Sequence, residues 1–503
     1  MNARIRHRLR SIPLLILVLG LTSCFRKPDR SQAPVEVPPS FSAGGEGAAP
    51  ARWWTAFGDG QLDKLVEKAL AGNMRLRVAW DRLAQAGAVA RKAGAPLWPE
   101  ISAGASAGRT RTVTEMAVPR GGSDSSTAAA AAAATTAAVD VETRTKDVVE
   151  YRTDLALNVA ASYELDLWGR LRATKNAAAA DAVATREDLD AAAMSLSAEV
   201  ANAWYRLVKQ RAEIELLQRQ QKVNSEYLEL TELRFKLGRG TAVDVLQQRQ
   251  QLEATRGDLS VARMRRELLE HQLAVLAGKP PKSVVGGERG SLPELPRMPA
   301  TGLPSELISR RPDVRAALIR LGAADHRVAA AIADRFPRIS LTARGETADG
   351  KLRDLFDDWL ASIAASILAP IFDAGRRKAE VERAKAAASE TLHVYGGAVL
   401  VAFREVEDAI TSEKRGAEYL ANVSRRVKLA GRLTARTRER YANGGTDYLP
   451  VLVALRAEQN LEKLELAAKL SLIESRIGLY RALGGAWELR PPADDEDDIG
   501  ESR

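Results

Sequence analysis

Apolar side chains fall on every second position from Asp154 to Leu167. Leu155, Leu157, Val159, Ala161, Tyr163, Leu165 and Leu167 alternate with Asp154, Ala156, Asn158, Ala160, Ser162, Glu164 and Asp166. A period of two held over fourteen residues predicts a strand about twice the ordinary length, with one apolar and one polar face. A strand tilted across a bilayer needs about ten residues, so length and pattern together point to lipid on one side and water on the other. After Trp168-Gly169-Arg170 the alternation stops. Residues 169–235 contain no proline and a single glycine at the start, which predicts one helix about 100 Å long at roughly 1.5 Å per residue. Within it Leu189, Ala193, Leu196, Val200, Ala203 and Leu207 recur at steps of four and three. That is a heptad seam whose alanines admit close neighbours.

The switch from strand to long helix occurs twice. Gly169-Arg170 recurs as Gly375-Arg376, Glu199-Val200 as Glu405-Val406, Gly238 as Gly444, Val245-Leu246 as Val451-Leu452 and Gly278 as Gly484, each pair 206 residues apart. Upstream, Ala79 matches Ala317, Pro99 matches Pro337 and Ile101-Ser102 matches Ile339-Ser340, at an offset of 238. A constant offset over such a span marks a tandem repeat, and the 32-residue difference places an insertion between the two strands of the first half. Each half reads as helix, strand, loop, strand, long helix, turn and helix. The first, residues 53–278, has strands at about 97–110 and 151–167 and helices at 169–235 and 241–277. The second, 305–487, has strands at about 338–346 and 359–372 and helices at 375–442 and 447–483. Helices 73–95 and 241–277 stacked end to end would nearly match the long helix. Residues 113–150, with alanine at 128–134, read as a surface loop; 279–304 form a Pro/Gly linker, and 488–503 a solvated acidic tail.

The N-terminus changes the compartment. Arg4, Arg6, Arg8 and Arg10 precede an apolar run of about ten residues, a secretory signal too short to span a bilayer. The ending Leu21-Thr22-Ser23-Cys24 resembles a bacterial lipobox. The resemblance implies cleavage after residue 23, a diacylglycerol and an N-acyl chain on Cys24, and, with Phe25 following, sorting to the outer membrane. Residues 24–52 carry five prolines and read as an extended tether.

Composition excludes several classes. The formal charge of +9 falls to about +5 without the four signal arginines and is unclustered, which argues against nucleic acid. His7, His271, His326 and His393 are scattered without metal-ligand spacing, and neither a phosphate-cradling loop nor a nucleophile elbow occurs. An enzyme, a bound metal and a dissociable cofactor are therefore not expected.

Four strands cannot close a barrel, and unpaired strand edges are not tolerated in lipid, so the protomer is expected to oligomerise; strand count alone allows a dimer or a trimer. The segments WWTAFGD (53–59), PLWPEIS (96–102), ASYELDLWGRLR (161–172), RFKLGRGTAVDVL (234–246) and RRPDVRAA (310–317) resemble the outer membrane factors of tripartite efflux pumps, the TolC family in its lipoprotein branch. The resemblance implies a homotrimer, with a twelve-strand outer membrane β-barrel continued by a twelve-helix periplasmic α-barrel and an equatorial belt. It implies a passive exit duct in the outer membrane of a Gram-negative bacterium, driven by an inner membrane pump through a periplasmic adaptor. The turns at 235–240 and 441–447 then correspond to the end where the tube closes. Gly238, Gly240, Gly444 and Gly445 permit the reversals and mark the tips where the adaptor docks, while Asp244 matches an acidic aperture position and Tyr441 an aromatic one. Pro450 and Val453 stand where relatives are often acidic, which leaves any acidic ring to Asp244 and Asp447. Helix capping accounts for those two aspartates equally well. The rival from another class is a lipid-anchored periplasmic scaffold without a pore, which would carry a compact domain of short strands. The exported substrate is not readable, because specificity resides in the pump.

Overall fold

The computed structural model describes residues 35–44, 52–119, 143–283, 287 and 291–484. The signal, Cys24, most of the tether, residues 120–142 with the alanine run, and the acidic tail lie outside the described residues. In chain order the elements are α1 (Gly60–Gly72), α2 (Met74–Gly94), β1 (Glu100–Pro119), β2 (Thr143–Leu165), α3 (Arg170–Lys236) and α4 (Ala242–Leu276). The second half supplies α5 (Pro304–Arg310), α6 (Pro312–Ala333), β3 (Arg338–Asp349), β4 (Trp359–Leu368), α7 (Arg376–Ala442) and α8 (Tyr448–Leu483). These elements form two units, a sheet unit from residues 92–174 and 329–380 and a helical unit from the remainder.

In the sheet unit the strands are antiparallel in the order β1-β2-β3-β4. The register puts Ile101, Ala103, Ala105 and Ala107 level with the odd positions of β2, and these level with Ile339, Leu341 and Ala343 of β3 and Ile363 and Ile367 of β4. Directly paired residues share a face, so one face is apolar across all four strands. The other carries Ser102, Asn158, Ser162, Thr342, Arg344 and Ser366. Ile363 is 87% exposed on the apolar face, which an aqueous sheet would not leave open. From Leu155 to Leu165 the apolar band is about 33 Å along the strand, or about 25 Å tall at the usual tilt.

Several strand boundaries differ from the sequence reading; β2 ends at Leu165 rather than 167, and β3 runs to Asp349 rather than 346. The expected loop over 113–150 is in part strand: β1 and β2 continue as a two-stranded ribbon, with Gly108 opposite Asp154 and Pro119 opposite Thr143. Its apolar alternation is broken by Arg109, Arg111 and Glu115, while backbone pairing is indifferent to side-chain polarity. β4 ends at Leu368 rather than 372, because Pro370 has no N–H for a ladder. β1 begins at Glu100, after Pro99, rather than at 97.

The strand-to-helix switch has a local cause. The Asp166 carboxylate accepts from the backbone N–H of Leu171 at 3.0 Å and of Arg172 at 2.9 Å, capping α3. Gly169 takes a left-handed φ of +78° just before it. Glu164, at the end of β2, holds Arg170 through both carboxylate oxygens at 2.8 Å. Trp168 stacks on Phe336 with centroids 4.8 Å apart and donates Nε1–H to the Pro337 carbonyl at 2.7 Å.

In the helical unit all six seam positions of α3 are buried. Trp53 and Trp54 are packing anchors: Trp53 stacks on Tyr480 at 5.7 Å and donates Nε1–H to the Ser197 hydroxyl. Asp59 caps α1 and also accepts from Trp204 Nε1–H at 2.9 Å. The short helices do meet end to end. Asn73 Oδ1 accepts from the N–H of Arg75 and Leu76 at the start of α2, while its Nδ2–H donates to the Leu276 carbonyl at the end of α4 at 2.9 Å. In the second half the position 238 residues on is Arg311, which donates to the Ala482 carbonyl of α8 at 3.2 Å. Gly278 is required at the first junction, where a Cβ would stand 2.0 Å from the Gly72 carbonyl oxygen.

Candidate functional site at the helix turns

Both turns are built alike. α3 ends with Gly238 at φ +69°, its N–H donating to the Phe235 carbonyl, while Arg239 N–H reaches back to the Arg234 carbonyl at 2.8 Å. α7 ends with Gly444 at φ +74°, with Gly445 N–H on the Arg440 carbonyl at 2.8 Å. This left-handed closure satisfies the last carbonyls of each helix and is open only to glycine without strain.

The aspartates differ in use. Thr241 caps α4 by accepting from Asp244 N–H at 3.2 Å, and the Asp244 carboxylate accepts in return from Thr241 N–H at 3.0 Å. Asp244 is thus the acid of a capping box. Asp447 occupies the position equivalent to Thr241, is exposed, and makes no capping bond. The physical reason stands three residues on: Pro450 occupies the position equivalent to Asp244 and has no N–H to donate. Capping therefore describes Asp244 and does not describe Asp447.

Tyr441 is buried within its own chain. Its ring lies 5.4 Å from that of Tyr448, and the Arg234 guanidinium sits 4.2 Å above it while donating to the Tyr441 carbonyl at 2.6 Å. Arg234 belongs to the first turn, so it fastens that turn to the second. The equivalent Arg440 is spent on its own loop, donating to the Gly445 carbonyl at 3.4 Å. Burial pushes the Tyr441 phenol upward, opposed by Arg234 and reinforced by Asp244. Tyr448 is likewise raised, by burial and then by its tyrosine neighbours, and donates to Gln248 Oε1. Both phenols stay protonated at neutral pH.

Sequence reasoning missed a buried polar network next to this cluster. Gln459 donates to Asn224 Oδ1 at 2.9 Å, Asn224 to the Thr255 hydroxyl at 2.8 Å and Gln248 to the Asn224 carbonyl at 2.7 Å, while Gln220 donates to Glu462 at 2.7 Å. These bonds join α3, α4 and α8. The signal was present: Leu217, Gln220, Asn224, Tyr227 and Thr231 continue at steps of three and four, and all are buried. A polar residue at such a core position fixes register at a cost in stability. Among the described residues no cluster of His, Cys, Asp and Glu could hold a metal.

Comparison with known proteins gives a uniform answer. The family model described as outer membrane efflux protein matches residues 65–279 and 303–485. The pyoverdine export outer membrane protein OpmQ of Pseudomonas aeruginosa is 31% identical over 489 residues, covering 95% of this chain and 98% of that protein. Outer membrane protein OprJ of the same species is 30% identical, covering 95% and 96%. Among solved structures, the outer-membrane channel OprN aligns with a TM-score of 0.77 at 28% identity over 92% of this chain and 98% of that one. The open state of the Neisseria gonorrhoeae MtrE outer membrane channel aligns at 0.76 with 27% identity, over 92% and 98%.

Proposed function

Since the chain belongs to the outer membrane efflux protein family and is an outer membrane efflux channel, the exit duct of a tripartite system, we propose how this chain builds and closes that duct. Three copies pair β4 of one with β1 of the next, closing a twelve-strand barrel whose apolar face meets lipid. Closure supplies partners for edge N–H and C=O groups that would each cost several kcal/mol in hydrocarbon. Twelve helical rods continue it as a periplasmic tube, and acyl chains on Cys24 add a second membrane anchor. An adaptor docks beside the turns at Gly238, Gly240, Gly444 and Gly445 and couples the duct to an inner membrane transporter.

The gate is asymmetric between the turns. Asp447, uncapped and exposed at the turn, supplies the ring of carboxylates at the aperture; Asp244 shapes its own turn. Tyr441 and Arg234 hold the two turns together from within the protomer, so that opening must break the Arg234 bond. The single observation that carries this reading is the contrast between the capping box at Asp244 and the free carboxylate of Asp447. Single-channel recording in planar bilayers tests it. Asp447→Ala is expected to change conductance and cation preference, with Asp244→Ala changing neither until the turn loosens. The reverse order would remove Asp447 from the aperture, and absence of conductance from a folded trimer would remove the duct.

A further inference from the structure

The ribbon formed by the outer parts of β1 and β2 carries a patch that the duct does not need. On the face continuous with the apolar band, the unbroken run of apolar pairs stops at Ala107 opposite Leu155; the next two pairs outward are Arg109 opposite Thr153 and Arg111 opposite Tyr151, and one apolar pair, Val113 opposite Val149, lies beyond them. All four side chains are exposed. Arg109 lies 5.0 Å from the Tyr151 ring centroid, and neither Arg109 nor Arg111 forms an ion pair among the described residues. The nearest carboxylates on this face are otherwise placed. Asp349, opposite Leu155, accepts from Lys351 N–H at 2.8 Å. Glu115 and Asp147 lie four residues beyond Arg111, about 13 Å away. On the opposite face Arg152 is paired with Asp154 at 2.7 Å. Two cations with an aromatic ring directly above a lipid-facing band sit at headgroup height, where aromatic side chains settle and anionic lipid attracts basic ones. The ribbon end is the one away from the helices in sequence, which in the duct is the external leaflet.

We propose that Arg109 and Arg111, flanked by Tyr151, bind the phosphates of an anionic glycolipid in the outer leaflet of the outer membrane. The inference rests on the barrel reading for which face meets lipid. Each guanidinium offers a planar fork matched to phosphate oxygens, and Tyr151 packs beside the sugar ring. The site anchors the ribbon, since a two-stranded hairpin is marginal by itself in water.

The test uses the full-length protein purified as an oligomer, with native mass spectrometry counting bis-phosphorylated lipid A retained in detergent. Arg109→Gln with Arg111→Gln is expected to weaken retention about 30-fold, at about 1 kcal/mol for each basic group, and Arg152→Gln by less than about twofold. Removing both phosphates from the lipid should mimic the double variant, and inorganic phosphate should not displace the lipid. Equal retention by wild type and double variant, an equal loss with Arg152→Gln, or displacement by phosphate alone overturns the proposal. Single-channel conductance of the double variant keeps the two readings apart: unchanged conductance with lost lipid supports the site, whereas a wild type that never conducts defeats the duct instead.

Discussion

The two halves solve the same geometric problems with different side chains. At the junction of stacked helices, Asn73 in the first half joins two helix ends through its amide alone. Arg311 in the second is 4% exposed and also ion-paired to Asp313 at 2.6 Å and Glu405 at 2.7 Å. Burial acts against the charge on Arg311, and the two carboxylates outweigh it. At the turns the asymmetry runs the other way: the first is locked by a capping box, while the second leaves Asp447 free. One half is therefore rigid where helices join and open at the tip, and the other is rigid at the tip with a lighter joint. A repeat preserves backbone geometry while its side chains divide the tasks.

Breaking the junctions should give the largest contrast. Arg311→Ala takes the buried partner from the part-exposed Asp313 and leaves Glu405 only Arg481 at 3.5 Å, and is expected to cost about 3 kcal/mol, the low end for a broken buried pair. Asn73→Ala, which orphans one carbonyl and uncaps α2, should cost about 1–3 kcal/mol. Denaturant titration followed by helical circular dichroism separates them, and equal losses would erase the distinction. The arginines of the turns come next. Arg234→Ala removes both the bond to the Tyr441 carbonyl and the cation over its ring, so channel openings should grow in size or frequency; Arg440→Ala should leave recordings like the wild type.

The caps are expected to matter less. Thr241→Ala should lose about 1 kcal/mol, whereas Asp447→Ala should stay within about 0.5 kcal/mol because no cap is lost. A larger loss at Asp447 would mean that its carboxylate has a structural partner after all. The smallest effect sharpens the cause: Pro450→Ala supplies the missing N–H, and amide exchange should find the new amide protected only while Asp447 is present.

Much of the architecture was legible in the residues. The period of two in β2, the proline-free stretch after Gly169 and the offsets of 206 and 238 contain the strand, the rod and the duplication, because each depends on local spacing. The ribbon beyond Asp154 was not legible, since its ladder is held by backbone bonds while its side chains read as a polar loop. The polar network around Asn224 was visible only as a break in a seam, and a seam does not say which helices meet there. Asp244 and Asp447 looked alike until Thr241 and Pro450 were set against them.

By itself the sequence determined the order of elements, the apolar and polar faces of the strands, the two glycine turns and the family, all of which follow from periodicity, backbone freedom and motif spacing. Only the tertiary structure decided that Asn73 and Arg311 splice helices distant in the chain, that Arg234 crosses between turns to Tyr441, and that Arg109, Arg111 and Tyr151 share one face of the ribbon next to the apolar band. Those facts depend on strand register and on contacts between residues more than a hundred positions apart, where local spacing carries no information.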